Sequence, residues 1–419
     1  MRVCFLTLGS RGDVQPYVAL AKCLIKHGHQ ATICTGESFQ GFIESNGIRY
    51  KKTTLDLMAL ANTAKGKAVL ESPLKHAGLA MQLYRDVIRP AYRQTMDDFY
   101  DGAKDSDILV YHPKAFGAVD IAVSLEIPCV SMPPIPITYP ITEFPNIAVS
   151  STANFGKRIN RMTYMVNRRA ESAQIKELND FRKKTLNLPN RKAGIYAFTR
   201  SGEEIPTVYP VSPLLFPEVD SWNGHVVLPG FFFLHSESSL DSDLEAFLCG
   251  EKKPIAVTFS SMPLKNPDAF IRKLEAALIA TNNRAVILSG NSGIVKSKSD
   301  RIYVTKQAPH DLLFATCKGA IHHGGVGTMA AALCASVPQL VIPFSVDQPF
   351  WANRLNKLGC SIKTLREKTL TVADLANAFT EMDNSDIRHT AKRVGEKINL
   401  ENGVENAVGY LECLIENEK

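Results

Sequence analysis

Residues 319–344 read GAIHHGGVGTMAAALCASVPQLVIPF, and this stretch decides the fold. The apolar pair Ala320-Ile321 predicts a short strand, and residues 322–328 form a glycine-rich turn. The small residues 329–336 predict a helix, and the apolar run 338–344 predicts a second strand. A strand, a helix and a strand in immediate succession are typical of a βαβ unit in a parallel sheet.

The same alternation occurs in two blocks of the chain. In the first block the predicted strands are Val3–Leu8 and residues 30–35, 105–113 and 127–132. In the second block they are residues 254–261, 284–290 and 301–307, and the two strands of residues 319–344 follow them. Such alternation predicts parallel sheets covered by helices on both faces. A polar, turn-rich segment, 227–243, separates the blocks. We therefore predict two doubly wound α/β domains, N-terminal over residues 1–232 and C-terminal over 233–400.

Composition narrows the class of protein. The 419 residues are 45% hydrophobic and 21% charged, as in globular chains, and the net charge of +6 is too weak to indicate a nucleic-acid partner. The nine cysteines are scattered without a C-x-x-C pair, which favours reduced, buried thiols over disulfides or a zinc site. No apolar stretch approaches the roughly 18 residues of a membrane span, and the start lacks a signal-peptide pattern, so we expect a cytoplasmic protein.

One segment, residues 157–192, is strongly basic. It holds eleven lysines and arginines against three acidic residues, an excess of positive charge greater than that of the whole chain. A solvated helix face explains this, and so does peripheral contact with anionic lipid headgroups at a membrane. The first interpretation is favoured because apolar residues are few for an interfacial helix: Ile159, Met162, Tyr164, Met165 and Val166.

The glycine-rich turn of the opening stretch suits a diphosphate. Glycines admit a close backbone approach, and a helix start offers unpaired N–H groups and a positive dipole end. Thr328 adds a hydroxyl, and one of His322 and His323 an imidazole donor. The turn lacks the Gly-Lys-Ser/Thr of a Walker loop and does not match the dinucleotide fingerprint. A tight structural turn with a buried histidine pair is the alternative.

Polar groups also follow the neighbouring strands. Asp347 and Gln348 follow the strand at 338–344, where a carboxylate and an amide are suited to grip vicinal hydroxyls. Asp347 also suits the cap of a helix starting near Pro349, and both roles are compatible. After the strand at 301–307, the backbone near Ala308 is placed to meet a base edge.

The first strand–helix turn, GSRGDVQP at residues 9–16, admits three interpretations. Arg11-Gly12-Asp13 is an adhesion tripeptide, the glycines suit a nucleotide turn, and Asp13 suits a catalytic base at a strand end. Because a phosphate site is predicted elsewhere in the chain, a catalytic role for Asp13 is favoured over a role in helix capping alone. His112 ends another strand of this block and either orients Asp13, touches a substrate, or is a structural turn histidine before Pro113.

The chain resembles the glycosyltransferases of family 1, which have the two-domain GT-B fold, in the branch that holds sterol 3-β-glucosyltransferases and glycopeptide-antibiotic glycosyltransferases. The segments that carry the resemblance are GSRGDVQPYVALA (9–21), DILVYHPKAFGAVDIA (107–122), LPGFFFL (228–234), IAVTFSSM (255–262), APHDLLF (308–314), HHGGVGT (322–328) and VPQLVIPFSVDQPFWANRL (337–355). The resemblance implies an inverting, metal-independent transfer of a hexose, with glucose favoured, from a UDP-sugar to a hydroxyl. It also implies that the last helix, within 401–419, crosses back to the first domain.

The resemblance implies the following site residues. Asp13 matches the general base, and His112 joins it in the predicted catalytic pair because of its strand-end position. The donor-binding set comprises Ser261, Ala308, His323, Gly325, Gly327, Thr328, Asp347 and Gln348. From its own composition, the apolar, Pro-rich loop 131–155 suits a flat apolar aglycone, with a rigid interdomain loop as the alternative, and the predicted acceptor residues are Gly12, Pro134, Tyr139 and Phe144.

These assignments predict UDP-glucose as co-substrate, an apolar, sterol-like alcohol as acceptor, and neither a further cofactor nor a metal. Ser260, Met329 and Val346 depart from the residues frequent in the family, and Gln307 stands where plant members have a stacking Trp, which weakens the donor assignment. The alternatives are a polyketide, phenolic or peptide-antibiotic aglycone with another nucleotide sugar, a GT-B UDP-sugar epimerase, and an adhesion protein.

Overall fold

Two β-sheets organise the chain, and every pairing between their strands is parallel. The computed structural model describes residues 1–71, 75–199, 201–222, 224–234, 239–260, 262–344 and 347–417. The strands of the first sheet are β1 (Arg2–Leu6), β2 (Gln30–Thr35), β3 (Arg49–Lys52), β4 (Ile108–Tyr111), β5 (Cys129–Ser131), β6 (Thr207–Val208) and β7 (Val226–Val227), in the order β3-β2-β1-β4-β5-β6-β7.

The strands of the second sheet are β8 (Ile255–Thr258), β9 (Ala285–Leu288), β10 (Ile302–Thr305), β11 (Gly319–His322), β12 (Gln339–Val341) and β13 (Ser361–Ile362), in the order β10-β9-β8-β11-β12-β13. Both sheets place their first strand beside their fourth, so the strand order reverses there. The residues of β4, β8, β9 and β11 are buried throughout, because helices cover both faces of each sheet.

The helices that belong with the first sheet are α1 (Arg11–Lys26), α2 (Gln40–Glu44), α3 (Leu57–Asn62), α4 (Ala64–Glu71), α5 (Ala77–Leu83), α6 (Arg89–Ala103), α7 (Ala118–Leu125), α8 (Lys157–Thr163), α9 (Val166–Ser172) and α10 (Ile175–Lys184). Those that follow are α11 (Ser242–Leu248), α12 (Pro267–Ala280), α13 (His310–Thr316), α14 (Val326–Cys334), α15 (Gln348–Leu358), α16 (Val372–Glu381), α17 (Ser385–Asn399) and α18 (Gly403–Asn417). Among the described residues, none of these helices combines the length and apolar character that crossing a bilayer demands.

The α/β class predicted from alternating strands and helices is confirmed. Strand β2 covers the predicted residues 30–35, and the predicted strand Val3–Leu8 is Arg2–Leu6 in the structure. All nine cysteines are free, as expected, but Cys249 and Cys413 are exposed rather than buried. The first sheet ends at Val227 and the second begins at Ile255, which brackets the predicted domain limit without locating it.

An aromatic cluster joins the two halves. Phe144 packs against Phe350 with ring centroids 5.1 Å apart, and Phe216 stacks on Phe350 at 6.2 Å. The guanidinium of Arg354 lies 4.7–4.9 Å from all three ring centroids and pairs with Glu218. These contacts connect residues far apart in sequence and hold the two sheets in one arrangement.

The last helix, α18, packs on α1. Ala407, Val408 and Leu411 lie in the same buried cluster as the apolar face of α1. His27 contacts Glu405 at 2.6 Å and His29 contacts Glu412 at 2.8 Å, so both histidines join the first and last parts of the chain.

Candidate active site

In open parallel sheets, ligands bind beyond the carboxyl ends of the strands where the strand order reverses. In the first sheet this point lies between β1 and β4, and in the second between β8 and β11. The turn after β1 carries Asp13, the turn after β4 carries His112, and the turn after β11 carries the glycine-rich segment 323–328. Topology therefore brings the predicted catalytic pair to one edge and the predicted phosphate turn to the equivalent edge of the other sheet.

Both carboxylate oxygens of Asp13 accept hydrogen bonds or ion pairs. Oδ2 accepts from the backbone N–H of Ser10 at 2.7 Å and from its hydroxyl at 2.9 Å. Oδ1 lies 3.1 Å from Nε2 of His112 and 3.1 Å from Nζ of Lys114. One oxygen thus caps the start of α1 while the other faces the turn after β4, so capping and a site role coexist.

Gly9, rather than Gly12, is the glycine that this geometry requires. Gly9 has φ +143°, and a Cβ at this position would lie 2.2 Å from Oδ2 of Asp13. Gly12 lies in the first turn of α1, where the nearest atom to a Cβ would be 3.7 Å away. A side chain at residue 9 would therefore collide with the Asp13 carboxylate, whereas one at residue 12 would not.

The hydrogen bonds of His112 define its tautomer. Its Nδ1 accepts from the backbone N–H of Lys114 at 3.0 Å, so Nε2 carries the proton and donates to Asp13. Burial lowers the pKa of His112, which outweighs the opposing effect of Asp13 and keeps the ring neutral. The arrangement makes His112 an orienting donor for Asp13 and also a structural turn residue.

Burial raises the pKa of Asp13, but the hydrogen bond from His112 and the charge of Lys114 outweigh it. The net pKa lies well below the ordinary range, so the carboxylate is ionised at neutral pH. Lys114 was not identified from the sequence. Its position directly after Pro113 is a weak signal, and only strand order brings its ammonium to Asp13.

The turn after β11 leaves a helix start uncapped. Gly325 is the N-cap of α14 and makes no side-chain cap, and the first turn of α14 holds no acidic residue. The first intrahelical bond runs from the N–H of Met329 to the carbonyl of Gly325, so the N–H groups at 326–328 have no partner inside the helix. Thr328 is buried beside them. This geometry suits an anion.

The two histidines of this turn differ in role. His322 is structural, since Nε2 contacts the Gln339 amide oxygen at 2.8 Å and Nδ1 accepts from the N–H of Gly324 at 3.0 Å. His323 has a buried Nδ1 with no partner among the described residues. Its ring lies over Gly325, where a Cβ would meet Nε2 at 2.4 Å. Burial lowers the pKa of His323 to about 4, so its imidazole is neutral.

Asp347 and Gln348 lie where the sequence predicts a sugar site. Asp347 precedes α15 but its side chain makes no helix cap, and Oδ2 accepts from the indole N–H of Trp351 at 2.9 Å. The amide oxygen of Gln348 accepts from the N–H of Phe344 at 2.7 Å. Burial raises the pKa of Asp347, and the charge of Asp13 raises it further. The charge of Asp13 thus reaches Asp347, so the two strand-end turns lie near one another.

The remaining predicted donor residues are only partly described. Ala308 is half-buried just before α13, and Gly327 has open space where a Cβ would stand. Ser261 lies outside the described residues, as do Ser345 and Val346.

Of the predicted acceptor residues, Gly12 is exposed at the start of α1. Pro134 is buried, Tyr139 packs on Phe198 with centroids 5.8 Å apart, and Phe144 lies in the aromatic cluster. The contacts of Tyr139 and Phe144 are thus with interior side chains, and an acceptor role for them stays a prediction.

Arg11 stacks over Phe42 at 4.7 Å and donates from Nε to Gln15 at 3.0 Å. Burial lowers the pKa of His310, and the charge of Arg11 lowers it further, which places Arg11 near the second sheet's edge. Residues 11–13 form the first turn of a helix, and the Asp13 side chain is only 16% exposed. This geometry does not present an adhesion tripeptide.

Two domain families match the chain. Residues 3–104 match the glycosyltransferase family 28 N-terminal domain, and residues 279–409 match the erythromycin biosynthesis protein CIII-like C-terminal domain. A sterol 3-beta-glucosyltransferase of Arabidopsis thaliana is 31% identical over 97% of this chain, and one of Pichia angusta is 30% identical over 97%. The chain spans 64% of the plant relative's length and 33% of the yeast relative's.

Solved structures share the whole architecture at low identity. A glycosyltransferase of kitacinnamycin superposes with a TM-score of 0.73 at 17% identity, covering 98% of both chains. The glycosyltransferase VinC, in complex with dTDP, superposes with a TM-score of 0.67 at 18% identity and covers 100% of both chains. These likenesses establish the fold.

Proposed function

Because the chain belongs to the glycosyltransferases of GT-B fold, we propose that it transfers glucose from UDP-glucose to the hydroxyl of an apolar alcohol, with a sterol as the first candidate. The observation that carries the proposal is the closeness of the two strand-end turns. The charge of the ionised Asp13 reaches Asp347. The next residue, Gln348, lies against Gly324, just ahead of the uncapped helix start at residues 326–328. The names of the plant and yeast relatives support the sterol acceptor and glucose.

In the proposed reaction, the start of α14 binds the diphosphate of the donor. Its N–H groups and dipole favour negative charge, and the Thr328 hydroxyl and the neutral His323 ring add donors. These groups are preorganised, so they stabilise the charge that develops on the departing UDP without reorganising. Residues of the chain therefore supply the stabilisation that a bound metal gives in other diphosphate sites.

Asp13 acts as the general base. As the acceptor oxygen forms its bond to the anomeric carbon, the bond from that carbon to the diphosphate oxygen breaks, and the hydroxyl proton passes to Asp13. Attack opposite the leaving group inverts the anomeric configuration. His112 keeps Asp13 oriented through Nε2.

A carboxylate whose pKa is strongly lowered is a weak base, so the Lys114 contact matters. The Lys114 side chain is 46% exposed and is able to leave. We propose that the acceptor hydroxyl takes the place of Lys114 at Oδ1. Loss of the cation raises the pKa of Asp13 and strengthens it as a base.

The test is a matrix of donors and acceptors read by mass spectrometry. UDP-glucose, UDP-galactose and dTDP-glucose are each paired with a sterol, a phenol, a polyketide aglycone and no acceptor. The expected product is a sterol glucoside formed from UDP-glucose with inversion. Transfer only to sugars or peptides contradicts the proposed acceptor, and isomerised donor without acceptor favours an epimerase.

A further inference from the structure

The basic segment singled out in the sequence presents an unusual surface. Five apolar side chains between residues 149 and 165 are exposed, with 43–64% of their area accessible. They are Val149, Phe155, Ile159, Met162 and Met165. Five cations lie among or directly beside them: Lys157, Arg158, Arg161, Arg168 and Arg169. We call these ten residues the basic apolar patch.

Helix α8 turns the polar side chain of Asn160 towards the protein interior. Asn160 is fully buried, donates to the carbonyl of Thr142 at 2.8 Å and accepts from the N–H of Phe155 at 3.0 Å. Ile159 and Met162 lie on the outer face and are 55% and 64% exposed. Helices normally bury the apolar face, so an asparagine inside and apolar side chains outside indicate that the outer face meets an apolar partner.

The charge of the patch is uncompensated. Among the described residues, no acidic side chain comes within ion-pair distance of its five cations. Farther along the segment, Arg182 and Arg191 pair with buried Asp120, and Lys184 pairs with Asp180. Of the eight cations of segment 157–192 that make no ion pair among the described residues, five therefore belong to the patch, which the even spread of cations along the sequence did not reveal.

A cavity opens beside the patch. It has a volume of about 330 Å³, and its lining includes the cations Arg168 and Lys192 with apolar Met165, Ile195 and Tyr196. A lining that combines two cations with apolar side chains matches the chemistry of an anionic lipid, whose phosphate is charged and whose chains are apolar.

We propose that the basic apolar patch is the surface by which this protein lies on an anionic lipid bilayer, with Ile159, Met162 and Met165 entering the interfacial layer and the cations contacting headgroup phosphates. Cations surrounding apolar side chains are the pattern of interfacial segments, since long basic side chains reach the headgroups while apolar ones enter the acyl boundary. A second copy of the chain fits less well, because face-to-face contact brings ten cations together. If the acceptor is a sterol, this surface also puts the enzyme where its substrate lies.

Vesicle co-sedimentation of the full chain, without substrate, tests the proposal independently of the proposed reaction. We expect binding to equimolar phosphatidylcholine–phosphatidylserine vesicles that weakens with salt, and little binding to phosphatidylcholine alone. Arg158→Gln with Arg161→Gln should weaken binding roughly thirtyfold, at about fivefold per cation. Ile159→Ser with Met162→Ser should weaken it about tenfold or more.

A matched control lies in the other half of the chain. Val295 is 84% exposed beside Lys296 and Lys298, and changing these to Ser, Gln and Gln should leave vesicle binding unchanged. Circular dichroism melting checks that every variant is folded. Arg168→Gln tests the cavity and should reduce the preference for phosphatidylserine.

Three outcomes overturn the proposal. The first is absence of binding to anionic vesicles, and the second is equal binding by the wild type and both patch variants. The third is sedimentation-velocity data showing a dimer that the patch variants abolish, since a second copy of the chain would then be the occupant. A sterol glucoside formed from dispersed acceptor in the same preparation would leave the proposed function standing.

Discussion

The starts of α1 and α14 each lie beside the point where the strand order of their sheet reverses, but the two helix starts are built in opposite ways. At α1, Ser10 is the N-cap and the carboxylate of Asp13 accepts from its N–H, so the helix carries its own anion. At α14, Gly325 is the N-cap, no side chain caps the helix and no acid lies in the first turn.

This difference supports the proposed roles. A helix start attracts negative charge wherever it is left open. The start of α1 is already neutralised, so the role proposed for its Asp13 is to act on a substrate hydroxyl. The start of α14 has no internal anion, so it is the one of the two that suits a diphosphate. The following predictions separate these roles, from the largest expected effect to the smallest.

Asp13→Asn should lower kcat by about 10²- to 10⁴-fold, the usual contribution of a general base. The amide oxygen still accepts from Ser10, so the helix cap should persist. UDP affinity, measured calorimetrically, should stay within about twofold, because the diphosphate binds at the other turn. Full activity of this variant would remove Asp13 as the base, and a loss of UDP binding would break the division of roles.

His323→Ala should lower kcat by about 10²- to 10³-fold, as loss of one preorganised donor to a developing anion typically does. UDP affinity should fall with it, in contrast to Asp13→Asn. His322→Ala removes a structural hydrogen bond to Gln339 and should chiefly lower the melting temperature. If His322→Ala instead lowered kcat and UDP affinity, and His323→Ala chiefly lowered the melting temperature, the proposed roles of the two histidines would be exchanged.

Gly9→Ala should lower kcat by about tenfold or more, because a Cβ would lie 2.2 Å from the Asp13 carboxylate and push it from place. Gly12→Ala is the matched change in the same turn, where the nearest atom to a Cβ is 3.7 Å away. It should leave UDP affinity unchanged and stabilise α1 by about 0.5–1 kcal/mol. Equal kcat losses in both variants, measured by UDP release, would contradict the close approach at Gly9.

Lys114→Met should shift the acid limb of the pH profile of kcat/KM upward by about one unit. Removing the cation disfavours ionised Asp13, so its pKa rises towards the ordinary value. The lowered pKa of Asp13 stabilises the fold above the unfolded-state pKa, and this contribution is lost as pH falls. The variant should therefore lose stability at neutral pH, by less than about 1 kcal/mol because Lys114 is half exposed. Lys114→Arg should retain the wild-type limb, and an unshifted limb in the Met variant would exclude this coupling.

Much of the fold and several site positions could be predicted from local pattern. Strand β2 was predicted to the residue. Asp13, His112, His323 and Thr328 were predicted in the connections that follow strands, and the structure has His112 and His323 directly after β4 and β11 and has Asp13 and Thr328 in the first turns of α1 and α14. Lys114 and Trp351 were missed as partners of Asp13 and Asp347. Lys114 contacts Asp13 on the connection after another strand, and Trp351 contacts Asp347 one helical turn away. Residue type alone does not indicate either contact.

For the basic segment 157–192, composition alone did not predict which side chains face outward. The small number of apolar residues in the segment favours a solvated face, and that interpretation stays a prediction. Composition could not show that α8 turns Asn160 inward and Ile159 and Met162 outward. That orientation depends on hydrogen bonds from Asn160 to loop atoms outside the helix.

The sequence by itself determined the α/β class, the parallel sheets and the turns that carry chemistry, because these follow from the spacing of apolar residues and from glycines at strand ends. Tertiary structure alone decided which groups meet. Asp13 and His112 are brought together because β1 pairs with β4. The charge of Asp13 raises the pKa of Asp347 because domain packing brings the two strand-end turns near one another. Local periodicity encodes burial within an element, whereas strand order and domain packing depend on contacts across the whole chain.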